Sequence, residues 1–144
     1  MTKSKIAALT IIAITLIIIV TVVIMHLSNP LRRSIERIRA DMLELTPVGT
    51  SIEDVNKAIE NNDKWRIFAT YNSGYYIRNG IPRIADMHTN NNVHVIGVKT
   101  IQADIGTYNW LFIIFKRSVS VYYGFDKDSN LVDITVRKHS WDTL

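Results

Sequence analysis

A short acidic stretch near the C-terminus has the residue types of a calcium-binding loop. Asp126, Asp128 and Asn130 match the first three ligand positions of such a loop. The match ends there, because Leu131 stands where the loop needs glycine and Arg137 where it needs a bidentate glutamate. We therefore predict a hairpin turn at 126–130 rather than a calcium site.

Side chains for catalysis or metal binding are sparse elsewhere. The chain has no cysteine, which excludes thiolate chemistry and disulfides. The motifs G-x-S-x-G, G-x-x-x-x-G-K and H-E-x-x-H do not occur. His88 and His94 could share a metal, but two imidazoles make a weak site by themselves. We predict no enzyme activity and no cofactor; a small enzyme with an unrecognised site would need a concave pocket with at least two convergent polar side chains.

Aromatic residues are the strongest candidates for a binding surface, because they dominate the energetics of protein interfaces. The candidates for partner binding are Trp65, Tyr75, Tyr76, Trp110 and Tyr122. Aromatic residues at alternating strand positions more often pack beneath helices. Packing is the favoured interpretation, and a binding surface on one sheet face is the alternative.

The elements that would position these residues follow a long apolar run. Residues 6–25 are twenty residues without a charge, and thirteen of them are Ile, Leu or Val. At about 1.5 Å per residue, the run matches the roughly 30 Å thickness of a bilayer core. A cleaved signal peptide is disfavoured, because the run is long and Met25 to Pro30 make a poor cleavage site. We predict a basic leader at 1–5 and a transmembrane helix at 6–26.

The orientation of this single-pass helix is less directly encoded, since Lys and Arg are nearly equal in number on its two sides. If the tail faced inward, the short leader would have to cross the membrane with all its charge. We therefore predict a cell-membrane protein, with bilayer contact through residues 6–25 and an extracytoplasmic tail.

An amphipathic stalk helix is predicted at 27–46. Its apolar residues recur every three or four positions, at Leu31, Ile35, Ile38, Met42 and Leu45. A stripe of this kind could lie on anionic headgroups, but we favour a helix that covers a sheet.

Residues 47–144 are predicted to form an α+β domain. The capping-box pattern Thr50-Ser51-Ile52-Glu53 predicts a second helix, which Asn61-Asn62 ends. Apolar residues then alternate, which is typical of strands. The predicted strands are 65–71, 75–77, 93–105, 110–125 with a bulge or kink at Lys116-Arg117-Ser118, and 132–136. Turns are predicted at 79–82, 106–107 and 126–130, with a loop at 83–92. This order predicts two helices packed on an antiparallel sheet of about four strands.

Three segments carry a family resemblance. Residues 45–55 (Leu-Thr-Pro-Val-Gly-Thr-Ser-Ile-Glu-Asp-Val), with Tyr123-Gly124-Phe125-Asp126 and Leu131-Val132-Asp133-Ile134, resemble a group of small membrane-anchored proteins of Gram-positive bacteria. The order of elements also resembles the SmpA/OmlA lipoprotein domain and the β-lactamase-inhibitor-protein-like fold, although this chain has no lipidated cysteine. The resemblance implies a domain that binds other proteins and has no catalytic residues.

Charge adds little to the functional prediction. Without Lys3 and Lys5, fifteen basic residues face thirteen acidic ones, which is an ordinary solvated surface. The basic pair Lys116-Arg117 lacks a stacking platform, so no nucleic-acid partner is expected. We predict a single-pass membrane-anchored protein-interaction module; the alternative is an immunity or inhibitor protein that acts at the membrane against a toxin or hydrolase.

Overall fold

A computed structural model describes residues 3–89, 92–109 and 115–140. The helices are α1 (Lys3–Leu27), α2 (Ile35–Leu45) and α3 (Ile52–Glu60), with a 3-10 turn at Pro30–Arg32 between α1 and α2. The strands are β1 (Arg66–Tyr71), β2 (Tyr75–Arg78), β3 (Ile81–Ile84), β4 (Lys99–Asn109), β5 (Lys116–Phe125) and β6 (Leu131–Ser140).

Four of the strands form one antiparallel sheet in the order β1-β4-β5-β6, and β2 and β3 form a separate hairpin. Helix α2 packs on β6 and α3 on β1, on the same face of the sheet. The predicted α+β architecture is therefore confirmed for the domain. The separate β2–β3 hairpin was not predicted, since residues 81–84 of β3 were assigned to a turn and a loop.

The hydrophobic core lies between these helices and the sheet. Strand β5 shows the alternation that builds it, because Val119, Val121, Tyr123 and Phe125 all point toward the helices and are fully buried or nearly so. The helices contribute Ile38, Met42, Val55 and Ile59. The remaining core residues come from β4 and β6: Ile101, Ala103, Ile105, Tyr108, Leu131, Ile134 and Val136.

Both domain helices start at a serine. The Ser34 hydroxyl accepts a hydrogen bond from the Arg37 amide and begins α2. The predicted continuous stalk helix over 27–46 is therefore wrong at its start, where the chain instead forms the 3-10 turn. For α3, Ser51 accepts from the Asp54 amide and donates to the Asp54 carboxylate at 3.0 Å. The N-cap of α3 is thus Ser51, one residue later than Thr50, where the predicted capping box begins.

Strand boundaries differ from the prediction around β4 and β5. Strand β4 begins at Lys99 rather than at residue 93, and it continues through the predicted turn at Gly106 and Thr107. Gly106 follows a bulge, since Asp104 pairs with Ser120 and Gly106 with Val119. The bulge leaves Ile105 and Gly106 on the core face, which alternation along the sequence does not reveal.

Residues 116–118, predicted as a bulge or kink, form the regularly paired start of β5. The predicted strand over 110–125 therefore begins at Lys116 in the described part of the chain. Residues 110–114 lie outside the described residues.

Two predicted turns are confirmed. Asn79 and Gly80, with φ of 53° and 74°, join β2 and β3 in a tight hairpin. Ile81-Pro82, which the prediction placed in that turn, already belong to β3. At 126–130, Asp126 Oδ1 accepts hydrogen bonds from the amides of Asp128 and Asn130 at 2.9 and 2.8 Å. The carboxylate that suggested a calcium ligand thus closes a hairpin turn.

In helix α1, the structure describes the side chains of Lys5 and of residues 9–24. The hydroxyls of Thr15 and Thr21 donate to carbonyls one turn back, at 2.9 and 2.8 Å, as their positions in an apolar helix require. Among the residues that the structure describes, no helix is both long enough and apolar enough to cross a membrane.

Candidate functional site: a polar pocket on the open face of the sheet

The sheet face opposite α2 and α3, called the open face below, is only partly covered. The β2–β3 hairpin covers one part of it through Tyr75, whose side chain is fully buried. The Tyr75 hydroxyl hydrogen-bonds the Thr135 hydroxyl at 3.0 Å, and its ring lies 6.0 Å from that of Tyr122. Gly124 lies beneath Tyr75, where an added Cβ would stand 3.0 Å from the ring. The hairpin is therefore closely packed on this part of the sheet.

The uncovered part of the open face holds a cavity of about 340 Å³, called the polar pocket below. One row of its side chains crosses all four strands, since Arg66 pairs with Asp104, Asp104 with Ser120 and Ser120 with Arg137. Arg66 Nη2 lies 3.4 Å from one carboxylate oxygen of Asp104, and the Ser120 hydroxyl donates to the other at 2.7 Å. Both carboxylate oxygens of Asp104 therefore have a partner within the pocket.

A second row contains two polar atoms without partners. Ser118 on β5 pairs with His139 on β6, and both line the pocket. Ser118 is 2% exposed, and neither its hydroxyl oxygen nor His139 Nδ1 has a hydrogen-bond partner among the described residues. Native proteins leave few buried polar atoms unpaired, because each costs about 1–3 kcal/mol. The two atoms lie in adjacent cross-strand positions at the floor of the pocket, each with almost no surface open to solvent.

The surroundings of the pocket shift the pKa values of His139 and Tyr122 in opposite directions. Burial lowers the pKa of His139, and nearby Arg137 lowers it further, against a smaller opposing effect of Asp104. The imidazole is therefore neutral at pH 7, with one nitrogen as donor and one as acceptor. Burial also raises the pKa of Tyr122, opposed by a hydrogen bond from Arg137. Tyr122 accordingly presents a neutral phenol to the pocket wall.

A bulge in β1 supplies an apolar rim. Ile67 pairs with Ala103 and Ala69 with Gln102, so Phe68 is the additional residue on this strand. The bulge brings Phe68 onto the open face beside Arg66, where Phe68 lines the pocket and is 63% exposed. The pocket thus combines a polar floor with an exposed aromatic edge.

The Ser118 hydroxyl is not hydrogen-bonded as an activated serine nucleophile would be. A serine nucleophile is activated by a hydrogen bond to a base, commonly an imidazole. The Ser118 hydroxyl makes no hydrogen bond to any described residue, His139 included. The pocket does meet the requirement of convergent polar side chains in a concave site, and Arg66, Arg137 and Ser118 are the donors among them.

The five aromatic residues predicted to bind a partner do not form one surface. Tyr122 lines the polar pocket, Tyr75 is buried beside it, and Trp65 packs against the core on the helix side. Tyr76 is half-buried and lines a separate hollow with His88. Trp110 lies outside the described residues.

Sequence reasoning missed the serine, arginine and histidine of the pocket. For the serines a signal was present in the alternation of β5, where Ser118 and Ser120 interrupt a run of valines and aromatic residues. A polar residue at every second position of an otherwise apolar strand indicates a second face with polar surroundings. The partners on β4 and β6 depend on register, which the sequence does not fix.

Metal binding has no support from geometry. His88 and His94 line different hollows. Across residues 3–89, 92–109 and 115–140, no three His, Asp or Glu side chains are grouped so as to hold a metal ion.

Fold and site together define an α+β domain with a small polar pocket on its open sheet face. No family model matches the chain, and no curated protein or solved structure matches it either. The resemblance to anchored Gram-positive proteins and to the lipoprotein and inhibitor folds stays a prediction.

Proposed function

We propose that this chain is a membrane-anchored protein-interaction module whose polar pocket binds a group on a protein partner. The observation that carries the proposal is the pair of buried, unpartnered polar atoms on Ser118 and His139 at the floor of an open pocket. Tethering such a domain at a bilayer raises its effective concentration toward partners in the same membrane.

The anchor is supported by composition and by exposure. Twelve Ile, Leu and Val side chains between Leu9 and Ile24 are 39–65% exposed, so the domain does not bury them. Each would gain roughly 0.3–0.6 kcal/mol on insertion near a bilayer centre. The uncharged run at 6–25 is the segment proposed to insert, with the domain on the extracytoplasmic side.

The end of the sheet near α1 is proposed to face the bilayer. Arg32, just after α1, hydrogen-bonds the Asn109 carbonyl, and Lys138 hydrogen-bonds the Arg33 carbonyl. Both cations lie over the Tyr108 ring, at 5.8 and 5.1 Å from its centroid. These contacts hold the start of the domain beside the end of β4, and basic and aromatic side chains together are typical of a membrane interface.

Extraction and protease access test the membrane part of the proposal. The full-length protein should stay in the membrane pellet after alkaline carbonate, whereas replacing Ile14 and Ile18 by aspartate should release it. Protease added to intact spheroplasts should remove the domain. Protection in spheroplasts with cleavage after lysis would place the domain on the cytoplasmic side.

Site-specific photocrosslinking tests the binding part. A photoreactive amino acid at Phe68, on the pocket rim, should give a defined crosslinked species in intact membranes. The same amino acid at Met87, which is exposed away from the pocket, is the position control. Arg137→Glu should remove the species, and Arg83→Glu on the exposed side of β3 should leave it. An identical crosslinking pattern in both charge variants would refute pocket-mediated binding.

The immunity or inhibitor alternative makes a narrower prediction for the same experiment. The crosslinked species would then be a toxin or hydrolase, and purified protein should reduce the activity of that enzyme in proportion to occupancy.

A further inference from the structure

We propose that the polar pocket recognises a carboxylate group carried by the partner, an inference that rests on the proposed binding function. The pocket combines two guanidinium groups, Arg66 and Arg137, with the unpartnered polar atoms of Ser118 and His139. The guanidinium groups and the Ser118 hydroxyl can donate hydrogen bonds, the neutral His139 ring has one donor nitrogen, and the carboxylate of Asp104 already has both oxygens engaged. A ligand group that accepts several hydrogen bonds is therefore the one this floor can satisfy.

Charge balance selects the kind of acceptor. Two arginines and one aspartate leave the pocket with a single uncompensated positive charge, and the imidazole is neutral. A carboxylate carries one negative charge and matches the planar fork of a guanidinium. A dianionic phosphate would place excess negative charge beside Asp104, so the balance favours the carboxylate.

Size and rim indicate what carries the carboxylate. A cavity of about 340 Å³ is at the small end of ligand sites, with room for a carboxylate and one attached side chain. Phe68 and Tyr122 supply an aromatic edge for that side chain. A carboxyl-terminal residue with an apolar side chain meets both requirements.

A titration of the full-length protein in lipid nanodiscs tests the inference. The probes are N-acetyl-Ala-Phe with a free carboxylate, the same dipeptide as its amide, and propionate as a small free acid; the readout is the imidazole NMR signal of His139. The free-acid dipeptide should shift the His139 signal in a saturable way and raise its pKa, because a bound anion stabilises imidazolium. The amide should bind at least about tenfold more weakly, since it loses a charge-assisted interaction.

Propionate identifies the source of the carboxylate. If propionate binds more weakly than the free-acid dipeptide, the carboxylate is recognised together with its side chain, as on a partner chain. If propionate binds equally well, the site takes carboxylates in general. Equal binding of the acid and the amide, or saturable binding of neither, would overturn the inference.

Variants locate the effect in the pocket. Arg137→Gln should weaken binding of the free-acid dipeptide about tenfold or more, and Ser118→Ala, which removes no hydrogen bond within the described protein, should weaken it about threefold. Arg83→Gln is the matched control and should bind normally. Wild-type affinity in both pocket variants would also overturn the inference.

Failure here is distinguishable from failure of the proposed function. If the carboxylate probes do not bind while the Phe68 crosslink persists and still depends on Arg137, the interaction module stands and only the ligand chemistry is wrong.

Discussion

Replacing Ser118 by alanine should make the domain more stable. The Ser118 hydroxyl is buried and has no hydrogen-bond partner among the described residues, so the folded state bears its desolvation cost without compensation. That cost is about 1–3 kcal/mol, and the small void left by the oxygen offsets part of the gain. We expect the free energy of unfolding to rise by about 1 kcal/mol, which corresponds to about 4 °C in Tm for a domain of this size.

Ser120 provides a matched control on the same strand. It is 1% exposed and points to the same open face, but its hydroxyl donates to Asp104 at 2.7 Å. Ser120→Ala removes a hydrogen bond to a charged group and should lower the free energy of unfolding by about 1.5–3 kcal/mol. The same substitution, two residues apart and equally buried, is thus expected to change stability in opposite directions.

Urea unfolding of the full-length variants in lipid nanodiscs, followed by tryptophan fluorescence, measures both effects. Trp65 packs against the core and reports its exposure. If Ser118→Ala lowers the midpoint as much as Ser120→Ala does, the Ser118 hydroxyl has a partner in solution, such as a buried water. The hydroxyl would then not mark a vacant ligand position, and the site assignment would lose its main support.

Three further predictions concern the fold around the site. Burial raises the pKa of Tyr75 to about 12, from about 10 when unfolded, so its stabilising contribution is complete below pH 10 and is lost as pH rises toward 12. Tyr75→Phe should therefore make the urea midpoint fall less between pH 8 and 11 than it does in the wild type. The variant should also cost about 1 kcal/mol at pH 7, because the hydrogen bond to Thr135 is lost. Asp126→Ala should lower stability by about 1–2 kcal/mol by freeing two turn amides, and millimolar calcium should leave the wild-type Tm unchanged; a calcium-dependent rise would revive the metal loop. Gly97 has φ of +71° and an added Cβ would lie 2.6 Å from a backbone oxygen of β5, whereas Gly80 has φ of +74° and open space around it. Gly97→Ala should therefore lower the free energy of unfolding by at least about 2 kcal/mol more than Gly80→Ala, measured by thermal unfolding. Similar losses in the two variants would contradict the packing of the loop that contains Gly97.

Local chemistry explains the features that the sequence predicted well. Asn79 and Gly80 tolerate positive φ, so their turn follows from residue type alone. The turn at Asp126 follows likewise from a carboxylate that can bond nearby amides. Alternation placed β1, β5 and β6 approximately, and it predicted helices over an antiparallel sheet. In each instance the deciding interaction spans only a few residues.

Features that depend on long-range contacts were predicted less well. The bulges at Phe68 and Ile105 arise where strands of unequal residue count must stay paired, so they are defined only once the partner strand is present. The start of α2 at Ser34, and the 3-10 turn before it, likewise accompany contacts with Asn109 and Lys138 far along the chain.

For this protein the sequence by itself determined an apolar N-terminal segment, the turns at 79–80 and 126–130, and an α+β order of elements, because each depends on residues close together in the chain. Only the tertiary structure decided the candidate site. Arg66, Asp104, Ser118 and His139 come from four different strands, and cross-strand register brings them to one pocket. The absence of a partner for the Ser118 hydroxyl among the described residues is likewise a property of the assembled sheet, since it depends on every neighbour that packing places within hydrogen-bonding distance.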